Sequence, residues 1–118
     1  MKKIKDEEPF YPTGMAAKLL NITADRLRTY EEEGLIKPFR QSGTQTGKRL
    51  FSQHDIEWIE IIIELIKLGI SISAIRIFLS CKDILKNKKL LLNNDKDKTV
   101  YSLILKMYSH PVYEILFK

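Results

Sequence analysis

The sequence predicts a mainly α-helical protein with one small β-hairpin. Apolar residues recur at helical spacing along most of the chain, which is the pattern of amphipathic helices. Two short β-prone segments flank a loop that contains Gly43 and Gly47, as expected of a hairpin. Near the N-terminus, two short helical segments are separated by about three residues, the connection found in a helix-turn-helix. Together these observations predict a winged helix-turn-helix followed by further helices.

The helix pair is defined by its turn and capping residues. Thr13 can cap a first helix that ends at Leu20. Asn21 tolerates the left-handed backbone conformation that a tight turn between helices often needs. Thr23 is a favourable N-cap for the second helix, because its hydroxyl can accept a hydrogen bond from a backbone N–H one turn on. Gly34 suits the position after the last turn.

The second helix has one face suited to packing and one suited to polar contacts. On a helical wheel Ala24, Leu27 and Glu31 share one arc with Tyr30 at its edge, Asp25, Arg28, Thr29 and Glu32 share the opposite arc, and Arg26 lies on a third side. Glutamates at the C-terminal end would repel phosphate, so we expect the N-terminal half to enter a DNA groove, as recognition helices do. The alternative is a solvent-exposed helix stabilised by a pair between Arg28 and Glu32.

The hairpin carries charge of one sign. Its stems contain Lys37, Arg40, Lys48 and Arg49 and no acidic residue. Beside a helix-turn-helix such a hairpin is a wing, whose cations contact phosphates or enter a minor groove. Lys18 on the first helix could also contact a phosphate. The alternative is an ordinary hairpin with basic side chains on its surface.

Composition argues against several other classes of protein. The net charge of +5 is a modest excess, which favours polyanions as partners. Cys81 is the only cysteine, so we expect no disulfide, no metal and no other cofactor, and a buried, unreactive thiol. His54 and His110 have no flanking ligand or nucleophile pattern, so we expect no enzymatic activity. The absence of a secretory signal and the charges within the apolar run 56–68 predict a soluble cytoplasmic protein.

The segment after the hairpin is predicted to contain the core and a dimer contact. Ser52 caps an apolar helix with Asp55 as its capping-box partner, and Ser71 caps a second helix. A third helix could run over residues 81–92, and Thr99 is predicted to cap a fourth, which has a clean amphipathic face. The apolar C-terminal tail would be a liability if exposed. We expect it either to fold back or, preferably, to be buried between two copies.

Four runs of residues carry a resemblance to a known family. They are M-A-A-K-L-L-N-I-T, R-L-R-T-Y-E-E-E-G-L-I-K-P-F-R, K-R-L-F-S-Q-H-D-I and L-I-K-L-G-I-S-I-S-A-I. Over roughly residues 11–80 the chain resembles the DNA-binding domain of the MerR family of bacterial transcription regulators. In its brevity and its F-Y-P-T-G opening it is similar to the short branch that includes GlnR, TnrA and HspR. The family is dimeric and binds near-palindromic promoter sites, with the recognition helix in the major groove and the wing along the backbone.

The resemblance implies roles for individual residues. By position, Arg28 and Tyr30 would be contacts of the recognition helix, and Arg40 and Arg49 contacts of the wing. The complete set of predicted DNA-binding residues is Lys18, Thr23, Arg26, Arg28, Tyr30, Lys37, Arg40, Lys48 and Arg49. Metal-sensing members place cysteines near both ends of a long dimerisation helix, so a single Cys81 does not predict metal sensing.

We therefore predict a sequence-specific regulator of transcription that binds double-stranded promoter DNA as a homodimer, most simply as a repressor, in the nucleoid of a bacterium. Its predicted parts are a flexible N-terminal arm over residues 1–10, a winged helix-turn-helix over 11–80, and a helical dimerisation or regulatory segment over 81–118. Two alternatives remain open. One is an architectural, excisionase-like protein that bends DNA, and the other is an adaptor whose C-terminal tail binds a protein partner.

Overall fold

The computed structural model describes residues 5–43, 47–81 and 94–117. The elements in chain order are β1 (Tyr11–Pro12), α1 (Thr13–Leu20), α2 (Ala24–Glu32), β2 (Phe39–Arg40), β3 (Arg49–Phe51), α3 (Gln53–Lys67), α4 (Ile72–Ser80), α5 (Asp95–Tyr108) and α6 (Pro111–Phe117). The predicted fold class, mainly α with a small hairpin, is confirmed. In the part of the chain that the structure describes, no helix has the length and hydropathy needed to cross a membrane.

The chain divides into two compact units, Met1–Glu60 and Ile61–Lys118. The sequence predicted a boundary after residue 80, whereas the observed division falls inside α3. Since α3 is apolar on most of its surface, its first part can enter one core and its second part another.

The sheet of the first unit has three antiparallel strands in the order β1-β3-β2. β2 and β3 form the predicted hairpin, with Arg40 opposite Arg49. β1 pairs with the other edge of β3, where Tyr11 lies opposite Phe51, and this third strand was not predicted. Because β1 leads directly into α1, the central strand of the wing is joined to the start of the helix pair.

Part of the predicted flexible arm is held against the first unit. The His54 N–H donates to the Asp6 carbonyl at 3.0 Å, and the Phe10 N–H donates to the Phe51 carbonyl at 3.1 Å. Both bonds are long-range and anchor the backbone on either side of residue 8. Asp6 and Phe10 of the predicted arm are therefore hydrogen-bonded to the first unit, while residues 1–4 lie outside the described part.

The first unit is centred on Trp58. Its buried apolar residues come from α1, α2, the segment after α2, β3 and the first part of α3, and they include Ala16, Leu20, Leu27, Tyr30, Leu35, Ile36, Phe51, Ile56, Trp58 and Ile59. Trp58 has no exposed surface, and its indole Nε1–H donates to the Leu35 carbonyl at 2.8 Å. A buried indole N–H requires such an acceptor. The bond ties α3 to the segment that follows α2.

Three predicted N-caps are confirmed. The Thr23 hydroxyl accepts the Arg26 N–H at 3.1 Å, and the Ser71 hydroxyl accepts the N–H three residues on, also at 3.1 Å. Ser52 and Asp55 form a reciprocal capping box, with Asp55 N–H to Ser52 Oγ at 3.0 Å and Ser52 N–H to Asp55 Oδ2 at 2.9 Å. Each cap satisfies backbone donors that the first helical turn leaves unpaired.

Two predicted N-caps are wrong. α1 begins at Thr13 itself, preceded by an extended Pro12 whose side chain caps nothing. α5 begins at Asp95, because the Asn94 side chain accepts the N–H three residues on at 2.8 Å. Thr99 lies one turn inside, where its hydroxyl donates to the Asp95 carbonyl at 3.0 Å, a bond that threonine often makes within helices. Helix α5 therefore begins at Asp95, before the predicted cap Thr99.

In the second unit α4, α5 and α6 enclose an apolar core. Its buried residues include Ile75, Leu79, Val100, Leu103, Ile104, Met107, Val112 and Tyr113. The Tyr108 hydroxyl donates to the Phe78 carbonyl. Burial, with Tyr113 as the next cause, raises the pKa of Tyr108 to about 12, so this hydroxyl stays protonated, and able to donate, to a higher pH than an ordinary tyrosine.

The apolar tail is partly folded back onto the second unit. α6 buries Val112 and Tyr113 within that unit, and Tyr113 makes an edge-to-face contact with Tyr108 at a centroid distance of 5.4 Å. Ile115, in contrast, is 75% exposed. We had preferred a tail buried between two copies of the chain, but the first turn of α6 is buried within its own unit. Ile115 is exposed and could contact a partner.

Cys81 is exposed, which corrects the prediction of a buried thiol. It follows the last turn of α4 with an extended backbone, φ −139° and ψ 90°, so its side chain does not lie on the buried face of that helix. The helix predicted over residues 81–92 falls, beyond Cys81, outside the described residues. The His54 side chain retains 24% of its surface, with Nε2 at 3.8 Å from Asp6 Oδ2.

Candidate nucleic-acid interface

The turn between α1 and α2 has the geometry that the sequence predicted. Asn21 is left-handed, with φ 55° and ψ 45°, and its N–H donates to the Lys18 carbonyl at 3.2 Å. The next N–H, of Ile22, donates to the Ala17 carbonyl at 3.1 Å. Thr23 then caps α2. Three residues thus connect α1 to α2, and the left-handed residue satisfies the end of α1 as helix C-caps do.

The exposed face of α2 presents Arg28. Its Nη1 lies 3.1 Å from Asp25 Oδ1, and the two side chains retain 56% and 85% of their surface. The pair considered from the sequence, Arg28 with Glu32, is replaced by this pair one turn earlier. Exposed ion pairs contribute at most about 1 kcal/mol. Arg28 can therefore exchange Asp25 for a stronger partner at little cost.

Tyr30, predicted as a DNA contact, is a core residue with 2% of its surface exposed. Burial raises its pKa, and the opposing effects come from Arg26, whose charge and side-chain hydrogen bond lower it. The helical wheel placed Tyr30 at the edge of the packing arc, whereas in the structure its whole ring is buried in the core. We therefore assign Tyr30 to the support of α2 and of the Arg26 side chain instead of to direct contact.

The two arginines of the wing were expected to project towards DNA, but in the structure both are held by a carboxylate. Arg40 Nη2 donates to Glu31 Oε2 at 3.0 Å, and Arg49 Nε donates to Glu31 Oε1 at 2.6 Å. The Arg40 and Arg49 side chains keep 21% and 25% of their surface. A carboxylate on the adjacent helix has drawn both guanidinium groups towards the body of the unit, because partial desolvation strengthens such charge-assisted bonds.

The lysines remain on the surface. Lys18 in the last turn of α1, Lys37 before β2 and Lys48 before β3 are all exposed. The structure describes the wing loop between β2 and β3 up to Gly43 and again from Gly47. Together with Thr23, Arg26 and Arg28, these lysines are the predicted contacts that the structure leaves exposed.

A cleft of about 390 Å³ lies between α2 and the wing stems. It is lined by Glu31, Glu32, Lys37, Pro38, Arg40 and Arg49. Its cations are balanced in part by two carboxylates, so it is not a simple anion pocket. Among the described residues no three histidine, cysteine or acidic side chains are grouped to hold a metal ion.

Sequence reasoning missed the role of Glu31. It placed this glutamate on the packing arc beside Ala24 and Leu27, without a partner for its charge. The signal was present, since an acidic residue on a packing face needs a cation, and the wing stems carry arginines but no acid. Choosing Arg40 and Arg49 as the partners required the three-dimensional position of the hairpin.

Two short helices joined by a three-residue turn, with a hairpin wing beside them, define a winged helix-turn-helix of the type found in DNA-binding regulators. The chain belongs to the MerR family: the model of the MerR HTH family regulatory proteins matches residues 11–81. The resemblance drawn from the sequence motifs is confirmed.

Individual relatives support the same assignment. The chain is 31% identical over 83 residues to the HTH-type transcriptional regulator GlnR of Bacillus anthracis, covering 70% of this chain and 62% of GlnR. It is 41% identical over 59 residues to the HTH-type transcriptional regulator AdhR of Bacillus subtilis (strain 168), covering 50% of this chain and 41% of AdhR. The chain thus spans less than two thirds of the length of either relative.

A solved structure matches most of the chain. It is the crystal structure of HiNmlR, a MerR family regulator lacking the sensor domain, bound to promoter DNA. The TM-score is 0.56 at 30% sequence identity, and the match covers 82% of this chain and 78% of that chain.

Proposed function

We propose that this protein binds double-stranded promoter DNA as a homodimer and regulates transcription, most simply by repression, on the nucleoid in the cytoplasm. The observation that carries the proposal is the exposed N-terminal half of α2, with Arg28 on its outer face, in a fold similar to that of a regulator bound to promoter DNA. A helix of this kind enters the major groove with its N-terminal residues towards the bases.

The proposed contacts fall into two groups. Arg28 reads a base edge. Thr23 and Arg26 lie at the start of the same helix and contact the sugar-phosphate backbone that borders the groove. Lys18, Lys37 and Lys48 contact phosphates, since they are exposed and basic. Arg40 and Arg49 act mainly through Glu31, and their remaining exposed edges can reach a phosphate.

Selection from random duplex tests the proposal. The full-length protein should enrich a two-fold symmetric sequence and bind it about 1,000-fold or more tightly than a scrambled duplex at physiological salt. Binding without preference would instead indicate an architectural protein. Failure to retard any duplex would indicate an adaptor whose basic surface is incidental.

Lys48→Ala should weaken binding to the selected and scrambled duplexes alike. A phosphate contact carries no sequence information, and losing one contact should reduce the slope of log affinity against log salt by about one. Fluorescence anisotropy titrations over a series of salt concentrations measure both effects.

Lys106→Ala is the matched control for Lys48→Ala. It removes the same charge from α5, for which no DNA contact is proposed. Equal salt slopes for the two variants would contradict a phosphate contact at Lys48.

Ile115→Asp should convert the dimer to monomers in sedimentation velocity. The side chain is a large apolar group that is 75% exposed on α6, and a charge placed in a dimer contact would be desolvated without a partner. Ser102→Asp, at an exposed polar position of α5, adds the same charge and should leave the dimer intact. A dimer that survives Ile115→Asp would exclude this part of α6 from the contact.

A further inference from the structure

One carboxylate on α2 contacts both stems of the wing. Glu31 Oε1 accepts from Arg49 Nε at 2.6 Å and from Arg40 Nη2 at 3.1 Å, and Oε2 accepts from Arg40 Nη2 at 3.0 Å. Arg40 Nη1 also donates to the Gly47 carbonyl at 3.1 Å, on the far side of the loop. Three charge-assisted hydrogen bonds therefore link the helix to β2 and β3 together.

The burial of this group distinguishes it from ordinary surface pairs. The side chains of Glu31, Arg40 and Arg49 retain only 20%, 21% and 25% of their surface, against 56% for Arg28 in its pair with Asp25. Screening by water is weaker where exposure is lower, so this partly buried group holds its geometry better than the exposed pair does. The strands that it fixes are two and three residues long.

We propose that Glu31 is a positioning residue for DNA recognition: it holds the wing at a fixed distance and angle from the recognition helix through Arg40 and Arg49. The inference rests on the proposed function, since it concerns the choice between DNA sequences. A protein that reads bases in one groove and contacts the adjoining phosphate backbone needs its recognition helix and its wing at a fixed relative position. The short strands alone give the hairpin few hydrogen bonds with which to resist tilting.

Simple electrostatics makes the opposite prediction, which makes the proposal testable. A carboxylate near DNA repels phosphate, so its removal should strengthen binding to every duplex. If Glu31 positions the wing, its removal should instead lower the preference for the selected sequence. The ratio of the two dissociation constants, scrambled over selected, therefore separates the two roles.

The experiment compares Glu31→Gln with Glu32→Gln in the full-length protein. Both substitutions remove one negative charge from the same cleft, but Glu32 is exposed and is not part of the group described above. Glu31→Gln should lower the ratio about tenfold, comparable to losing one base contact, without weakening binding to the scrambled duplex. Glu32→Gln should tighten both complexes slightly and leave the ratio within about twofold.

Glu31→Asp isolates geometry from charge. The charge is kept, but the side chain is one methylene shorter and cannot reach both arginines in place, so the ratio should lie between those of the wild type and Glu31→Gln. Circular dichroism melting confirms that each variant is folded at the temperature of the titration.

Three results would overturn the inference. If Glu31→Gln and Glu32→Gln changed the ratio of dissociation constants equally, Glu31 would act only through its negative charge. Equal weakening of both duplexes by Glu31→Gln would make it a general support of the fold. A wild-type protein that shows no preference between the duplexes would overturn the proposed function itself, and the inference with it, before any variant is compared.

Discussion

Arg28→Ala is expected to relax the choice of DNA sequence by about 1–3 kcal/mol, the discrimination that one arginine contact to a guanine edge provides. The physical reason is the position of this guanidinium on the outer face of α2, where its partner Asp25 is 85% exposed and holds it weakly. Binding to the scrambled duplex should change far less. Anisotropy titrations with the selected duplex, the scrambled duplex and single-base variants of the selected site measure the effect position by position.

Arg28→Lys is the matched control for Arg28→Ala. Lysine keeps the charge but lacks the planar fork of arginine, so binding to the scrambled duplex should be retained while much of the sequence preference is lost. If Arg28→Ala weakened both duplexes equally, Arg28 would contact a phosphate instead of a base. If neither variant changed binding, α2 would not be the recognition helix.

Trp58→Ala is expected to lower the free energy of unfolding by about 3–5 kcal/mol, as large-to-small substitutions of buried aromatic residues do. Trp58 has no exposed surface, and its loss would leave a cavity where α3 enters the first unit. The Leu35 carbonyl would also lose its hydrogen bond from Nε1. A domain of this size has a total stability of about 5–15 kcal/mol, so the variant should be close to unfolding. Urea denaturation followed by circular dichroism measures the change.

Trp58→Phe separates packing from hydrogen bonding. It keeps an aromatic ring in the core but removes the N–H donor, and it should cost about 1–3 kcal/mol for the unsatisfied carbonyl together with the lost volume. If Trp58→Ala and Trp58→Phe were equally destabilising, the hydrogen bond and not the packing would account for the role of Trp58.

The features that sequence analysis predicted well are those decided by neighbouring residues. Thr23, Ser52 and Ser71 cap their helices as expected because a cap bonds to an N–H about three residues away. Asn21 adopts the left-handed conformation for an equally local reason. Thr99 failed because Asn94, a residue type at least as good at capping, begins the helix one turn earlier.

The features that were missed depend on parts of the chain that are distant in sequence. Tyr30 sits at the edge of a helical arc, and only the packing around α2 decides that its ring is buried. Arg40 and Arg49 had the charge expected of wing contacts, but Glu31 lies on another element and was read only as part of a packing face. Periodicity identifies faces of helices, whereas it does not identify which charges will meet across elements.

The pairing of β1 with β3 has a consequence for the design of truncated versions of this protein. A fragment that begins at Thr13 would contain the entire helix pair and the hairpin, yet β3 would lose its outer neighbour and become an edge strand. Its unpaired backbone groups, including the Phe51 carbonyl that accepts the Phe10 N–H in the complete unit, would then be available for strand pairing between molecules. A fragment intended to stay monodisperse therefore has to retain Phe10, Tyr11 and Pro12.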